Sequence, residues 1–196
     1  MAINTADVLV GAPNQLTTGA IHCAALGVAM PTDARTALTS GEKGFKDSGY
    51  VSEDGLKITP TYSTSDITDW SGALVRRVLE TFTGEMSWTS IQMGEQDLKN
   101  AFGDDNVTVT AANGSHGVQK AVKIGARLPK EREWVFEMKD GENLIRVVVP
   151  RGQVTNVGEI GFVRNAPIGL ETTLSCYADA AGNSLYIYTD DGVFTA

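Results

Sequence analysis

Thr81-Phe82-Thr83-Gly84-Glu85-Met86-Ser87-Trp88-Thr89 decides the fold class, because it alternates without a break. The even positions carry Phe82, Gly84, Met86 and Trp88, and the odd positions carry Thr81, Thr83, Glu85, Ser87 and Thr89. Successive side chains of a strand point to opposite faces, so a period of two puts one face on a core and leaves the other polar.

The same pattern recurs from Glu133 to Lys139, where Trp134, Phe136 and Met138 oppose Glu133, Val135, Glu137 and Lys139. It recurs from Ile168 to Tyr177, with Ile168, Leu170, Leu174 and Cys176 on one face. Leu144 to Val149 is a near-continuous apolar run closed by Pro150, consistent with a strand covered on both faces. Gly19 to Gly27 and Ala6 to Val10 are weaker strand candidates. Lys139-Asp140-Gly141-Glu142-Asn143 separates two strong strands, and its Asp-Gly pair suits a type I′ hairpin. Asp190-Asp191-Gly192 and Ala180-Ala181-Gly182-Asn183 carry similar turn chemistry. One helix stands out over 94–102, with acids at its start, Gly103 behind it, and Leu98, Ala101 and Phe102 on one face. Three segments lack any core pattern: about 31–48, 59–69 and 111–118. Loops of that length in a compact domain are usually functional or are ordered by a partner. The expectation is a mainly β chain with one flanking helix and long loops.

The 196 residues favour a single domain, with an N-terminal arm over about 1–18. A formal net charge of −8 argues against nucleic acid binding to the surface, though not against its passing nearby. Cys23 and Cys176 lie far apart, and two buried thiols suit them better than the alternative of one disulfide, because nothing marks a disulfide framework. The opening MAINTADVLVGAPNQ has neither a basic nor an apolar leader region, and no apolar run approaches the roughly 20 residues that span a bilayer. No signal peptide and no membrane partner are expected. Asn106-Val-Thr and Asn113-Gly-Ser fit the glycosylation pattern but read as turn chemistry here.

Chemistry was sought in several places. The acidic clusters at Glu53-Asp54-Gly55, Asp104-Asp105-Asn106, Asp140-Gly141-Glu142 and Asp190-Asp191-Gly192 lack the alternating oxygen spacing of a calcium loop. Each falls where a turn is expected. A catalytic carboxylate pair is set in space rather than in sequence, and nothing singles one out. His22 and His116 are the only histidines; Ser115 and His116 are neighbours in a Gly-rich turn with no nucleophile elbow. Two Cys and two His, all scattered, do not make a zinc site. No phosphate-binding or dinucleotide motif occurs. No cofactor, metal or enzymatic activity is expected. Arg76-Arg77 is an adjacent basic pair in a strand-like segment, read as a solvated or salt-bridged face, with an intersubunit ion pair as the alternative.

The order of several segments resembles the major tail tube proteins of long-tailed bacteriophages, especially those infecting actinobacteria. Gly19-Ala-Ile-His-Cys-Ala-Ala-Leu-Gly27 with Met30-Pro-Thr-Asp33 matches one family block, and Gly49-Tyr-Val-Ser-Glu-Asp-Gly55 matches a second. Ile67-Thr-Asp-Trp70 with Leu74-Val-Arg-Arg-Val78 matches a third. Asp140-Gly141, Ile145-Arg-Val-Val-Val-Pro150 and Val154-Thr-Asn-Val-Gly-Glu-Ile160 complete the series. No one motif is specific; their order and spacing are. The region 90–130 carries the least of the likeness, and the chain leaves no room for the C-terminal immunoglobulin-like domain of some relatives.

The resemblance implies a β-sandwich or barrel whose copies join in hexameric rings with a continuous inner β-barrel. The rings would stack into the tail tube through which DNA passes during ejection. It implies a virion tail location, assembly in the host cytoplasm, and tape measure, tail terminator and distal tail proteins as partners. The polar face Thr81, Thr83, Glu85, Ser87 and Thr89 then becomes the candidate lumen lining. Tyr50, Glu53, Asp54, Tyr62, Asp66, Asp69, Arg76 and Arg77 become candidates for contacts between subunits or rings. The competing readings are an all-β adhesin or carbohydrate-binding module, which calls for solvent-facing aromatics, and a β-fold hydrolase using paired acids such as Glu53 and Asp54.

Overall fold

The computed structural model describes residues 8–13 and 19–194. In chain order it contains β1 (Ile21–Ala25), β2 (Lys46–Ser48), β3 (Lys57–Thr68), β4 (Leu74–Ser90), α1 (Glu95–Phe102), β5 (Val107–Thr110), β6 (Gln119–Val122), β7 (Arg132–Asp140), β8 (Asn143–Val157), β9 (Leu170–Cys176) and β10 (Tyr186–Asp190). The fold is mainly β, and every strand pairing is antiparallel. Residues 1–7 and 14–18, which hold most of the expected arm and the start of the Ala6–Val10 strand candidate, lie outside the described residues. Val8 to Val10 is not a strand.

The strands follow the order β2-β1-β7-β8-β9-β4-β3, with β10 also on β8. Strand β8 creates the layers. Its Leu144–Val148 half pairs with β10, and its Gly152–Val157 half pairs with β9. The long strand therefore passes from one layer into the other and closes a sandwich. Ile21, Cys23, Trp134, Phe136, Val147 and Val149 pack from one layer onto Met86, Trp88, Val154, Leu174 and Cys176 of the other. Trp88 sits 5.6 Å from Trp134 and 5.5 Å from Phe136 between ring centroids, the edge-on and tilted spacing that aromatic quadrupoles favour. A Cβ at Gly152 would come within 3.1 Å of both Leu174 and Trp134, so only glycine lets the Trp134 indole reach the Gly152 carbonyl.

Three sequence expectations change. The segment 59–69 is not a loop: it is most of β3, paired with β4 from Lys57 opposite Ser87 to Thr68 opposite Leu74. Strand β7 does not leave one face to solvent, because Val135 is fully buried with Ala24, Phe45 and Val148 in a second core. The 28–45 segment, which overlaps the 31–48 stretch read as patternless, supplies that cover through Val28, Met30 and Leu38. The β7–β8 hairpin is not type I′ either. Gly141 has a φ of 59°, but no other residue type among those described has a positive φ, so Glu142 cannot complete that turn.

Helix α1 closes one end of the sandwich. Leu98 and Ala101 join Val107 and Leu170 in a third cluster. Asp97 is buried and accepts hydrogen bonds from the amides of Gly94 (3.2 Å) and Gly49 (3.1 Å), fixing both the helix start and the chain leading to β3. Asn100 is also buried and donates to Ser48 Oγ at 2.6 Å.

Candidate functional site

Strand β4 is 17 residues long and serves two purposes. Its second half is the sandwich strand flanked by β9 and β3, and its first half pairs with β3 alone. The result is a two-stranded ribbon that leaves the body and continues both of its faces.

The polar face runs across four strands. Register places Thr59, Glu85, Ser175 and Gln153 in one row, and Lys57, Ser87, Thr173 and Asn156 in the next. Thr89 lies opposite Glu171. Glu85 is exposed, and Ser87 and Thr89 are half-buried, while Met86, Trp88 and Ser90 between them are buried. Thr155 and Ser175 hydrogen bond through their hydroxyls at 2.9 Å. Tyr177 donates to Gln153 at 3.0 Å, and Gln153 donates to the Pro129 carbonyl at 2.8 Å. Thr83 and Thr81 carry this surface onto the ribbon, opposite Thr61 and Ser63, and both are exposed. The row of hydroxyls and acids offers neither a clustered cation nor a concave pocket.

The other face of the ribbon is bare, and next to the body it is apolar. Tyr62 lies tilted against Phe82 at 5.0 Å, followed by Thr64 beside Leu79 and then the charged pair of Asp66 and Arg77. Leu79 is 55% exposed and Tyr62 64% exposed. In the body this face is the core; beyond it no second layer covers it among the described residues. A two-stranded hairpin without cover is marginal in water. The outer edge of β3 is also unpaired along its length, and Pro60 lies on it, where a missing N–H is tolerated.

Two of the ribbon's charged residues pair within it. Arg77 forms a bidentate pair with Asp66 at 2.7 and 3.0 Å, which holds the Asp66 carboxyl below its usual range. Arg76 is exposed, opposite Ile67. Asp69 accepts from the hydroxyl and amide of Ser71 and from the Ala73 amide, so it shapes the tip turn, where Gly72 takes a φ of 84°. Trp70 projects from that turn wholly exposed. Trp88 and Trp134 lie on core faces, and Trp70 does not. It stands alone at a tip and makes no aromatic stripe of the kind a sugar-binding face needs.

The Gly49 to Gly55 block is a short bridge and a turn. Val51 pairs with Ser90, the Ser52 amide donates to the Thr89 carbonyl, and Gly55 closes a turn back to Ser52. Glu53 and Asp54 are exposed in that turn, and Tyr50 is 76% exposed beside it. The two acids form no enclosed pair.

Several other polar groups have structural partners. His22 is buried on β1 with Nε2 3.5 Å from Glu137. Arg146, 4% exposed, pairs with Glu137 and donates to the carbonyls of Asp33 and Thr36 at 2.8 Å. Burial pushes the Glu137 carboxyl up, but His22 and Arg146 outweigh it and leave it lowered. A cavity of about 420 Å³ lies beside this network, bounded by Leu38 and Phe45. Both cysteines are free and buried; burial raises both thiols, Cys176 to about 12. Among the described residues no His, Cys, Asp or Glu cluster could hold a metal ion. No helix there is long and apolar enough to cross a membrane.

Sequence reasoning found the polar face of β4 but missed the residues of β8 and β9 that extend it. The signal for β9 was the alternation from Ile168 to Tyr177, which marks Glu171, Thr173 and Ser175 as the opposite face.

A family model described as "Phage tail tube protein" matches residues 1–195. Among solved structures, the chain is similar to the anti-feeding prophage cap (AFP tube terminating cap) determined by cryo-EM. The identity is 11% and the TM-score 0.45, over 85% of this chain and 95% of that one. No curated protein matches the chain.

Proposed function

The chain belongs to the phage tail tube protein family, and from that premise we propose that it polymerises as stacked hexameric rings into a tube through which DNA passes. As a family member it is a structural component of the virion tail. The observation that carries the finer reading is the β3–β4 ribbon, which is polar on one side, uncovered on the other and open along its edge. A second copy of the chain accounts for all three features at once. Its sheet continues from the β3 edge, its body covers Tyr62, Leu79 and Phe82, and the polar faces of successive copies form one concave wall.

Closing the sheet in this way removes the exposed edges that would otherwise aggregate. Thr81, Thr83, Glu85, Ser87 and Thr89 line the lumen, with Thr173 and Ser175 beside them. An acidic, hydroxyl-rich wall repels the phosphate backbone and has no condensed counterions to displace, so DNA slides past it. Tyr50, Glu53 and Asp54 at the base of the ribbon, and Tyr62, Asp66, Asp69, Arg76 and Arg77 along it, meet the neighbouring subunit or ring. The tape measure, tail terminator and distal tail proteins are the further partners, and assembly precedes release from the host cytoplasm. The order of the motifs supports the further reading that the tail is a long one and the host an actinobacterium. The role is non-enzymatic.

Electron microscopy of the concentrated, purified protein tests this. Hollow tubes or six-fold rings are expected, and monomers that persist across salt and protein concentrations overturn the reading.

A further inference from the structure

The loop between β5 and β6 holds the sole Asn-Gly dipeptide of the sequence, Asn113-Gly114, and its side chains are arranged around that bond. Asn113 Oδ1 accepts hydrogen bonds from two backbone amides, Ser115 at 2.8 Å and His116 at 3.2 Å. Asn113 Nδ2 lies 2.9 Å from His116 Nε2. His116 Nδ1 lies 2.7 Å from the Gly117 carbonyl, which only accepts, so the ring proton sits on Nδ1 and Nε2 presents its lone pair to the amide. The Asn113 amide donates to the His116 carbonyl at 2.9 Å and closes the loop. Nothing lies within 4 Å of where a Cβ of Gly114 would be, so no other part of the chain packs on that side of its α-carbon. Asn113, Gly114 and Ser115 are exposed to water.

We propose that Asn113 is a self-modification site, converted by its own loop to aspartate and isoaspartate. The Gly114 nitrogen attacks Asn113 Cγ, and the charge developing on Oδ1 falls where the Ser115 and His116 amides already point, as in an oxyanion hole. His116 Nε2 takes the proton released by the Gly114 nitrogen and passes it to Nδ2. The Gly114 N–Cγ bond forms, the Cγ–Nδ2 bond breaks and ammonia leaves, giving a cyclic imide. Water then adds to one of the two imide carbonyls. Opening at Cγ gives aspartate, and opening at the main-chain carbonyl gives isoaspartate, with the backbone rerouted through the side chain. No oxidant or reductant is involved. Each converted subunit gains one negative charge in an exposed loop, and the isoaspartate form adds one backbone atom to it.

This inference does not depend on the proposed function. The test is peptide mapping by mass spectrometry of the full-length protein during incubation in neutral buffer, beside a synthetic peptide covering residues 108–121. The expected result is conversion at Asn113 several-fold faster in the folded chain than in the peptide. His116→Ala, in an exposed loop that the cores do not use, should remove most of that advantage and leave the circular dichroism of the chain unchanged. His116→Asn checks that the loss follows the imidazole and not the side-chain volume. Conversion in the folded chain at or below the peptide rate overturns the proposal, as does an unchanged rate in both His116 variants.

Discussion

Arg146 is the residue on which the most structure converges. Its guanidinium, itself buried, joins the half-buried Glu137 to two carbonyls of the 31–36 segment and pins the cover of the second core at once. Arg146→Leu leaves Glu137 with only His22 beside it. Losing one member of a fully buried pair typically costs about 3–5 kcal/mol, and the half-buried Glu137 puts the expected loss at the low end of that range. Urea unfolding of the subunit should show that loss, and adding Glu137→Leu should recover part of it. The same cover is held from outside by two aspartates. Thr36 and Arg35 hydrogen bonds hold the Asp33 carboxyl at about 2, and Arg35 with the Gly192 amide holds Asp190 at about 2. Both pKa values lie below the ordinary aspartate value of 3.8, so the stabilisation they give is complete above that value. It is lost as the pH falls toward 2. Amide NMR signals of Arg35, Thr36 and Gly192 should therefore shift together over that window while the β7 core amides hold still.

At the scale of the element, the ribbon behaves differently from the sandwich that carries it. Replacing Thr64–Glu80 by an Asn-Gly turn, together with Tyr62→Ser and Phe82→Ser, removes the bare apolar residues, the tip and the outer part of the open edge but touches none of the three core clusters. The shortened chain is expected to unfold at nearly the same urea concentration as the parent and to form no tubes by electron microscopy. Tubes of normal diameter from that variant would show that the ribbon does not join subunits. The ribbon also marks the limit of what the sequence reveals. Alternation in Thr81–Thr89 and Leu170–Cys176 was legible because each strand has one side on a core. Strand β3 was not, because Thr59, Thr61, Ser63 and Ser65 share it with Pro60, Tyr62, Thr64 and Asp66, and beyond Ile58, which packs on the main core, neither side meets a core among the described residues. Its strand character comes from pairing with β4 across a turn shaped by Asp69 and Gly72, and composition does not report pairing. The 28–45 segment was illegible for a related reason. Its contacts are single residues spaced irregularly, Val28, Met30, Leu38 and Phe45, and they present no period.

Across the whole molecule the division of labour follows β8. In the layer built with β1, β7 and β10, strand β7 is covered on both sides, by the main core and by the 28–45 cover, while β10 keeps Ile187 and Thr189 exposed. The layer built with β9, β4 and β3 has one buried side and one side of hydroxyls and acids. The first makes a rigid block, and the second presents a continuous wall. Deriving the candidate wall from sequence required only the parity of β4; placing Ser175, Thr173 and Gln153 in the same rows required the register of three strands, which no local pattern encodes.

The two irregularities in the β3–β4 pairing, between Ser63 and Thr64 and between Ile67 and Thr68, carry a further consequence. A flat, regular edge accepts any extended chain and so invites fibrils. Each irregularity sets an extra β4 residue, Glu80 or Val75, against β3 and raises the local twist of the ribbon. The β3 edge is therefore twisted rather than flat, and a straight foreign strand finds a poorer template on it than on a regular edge.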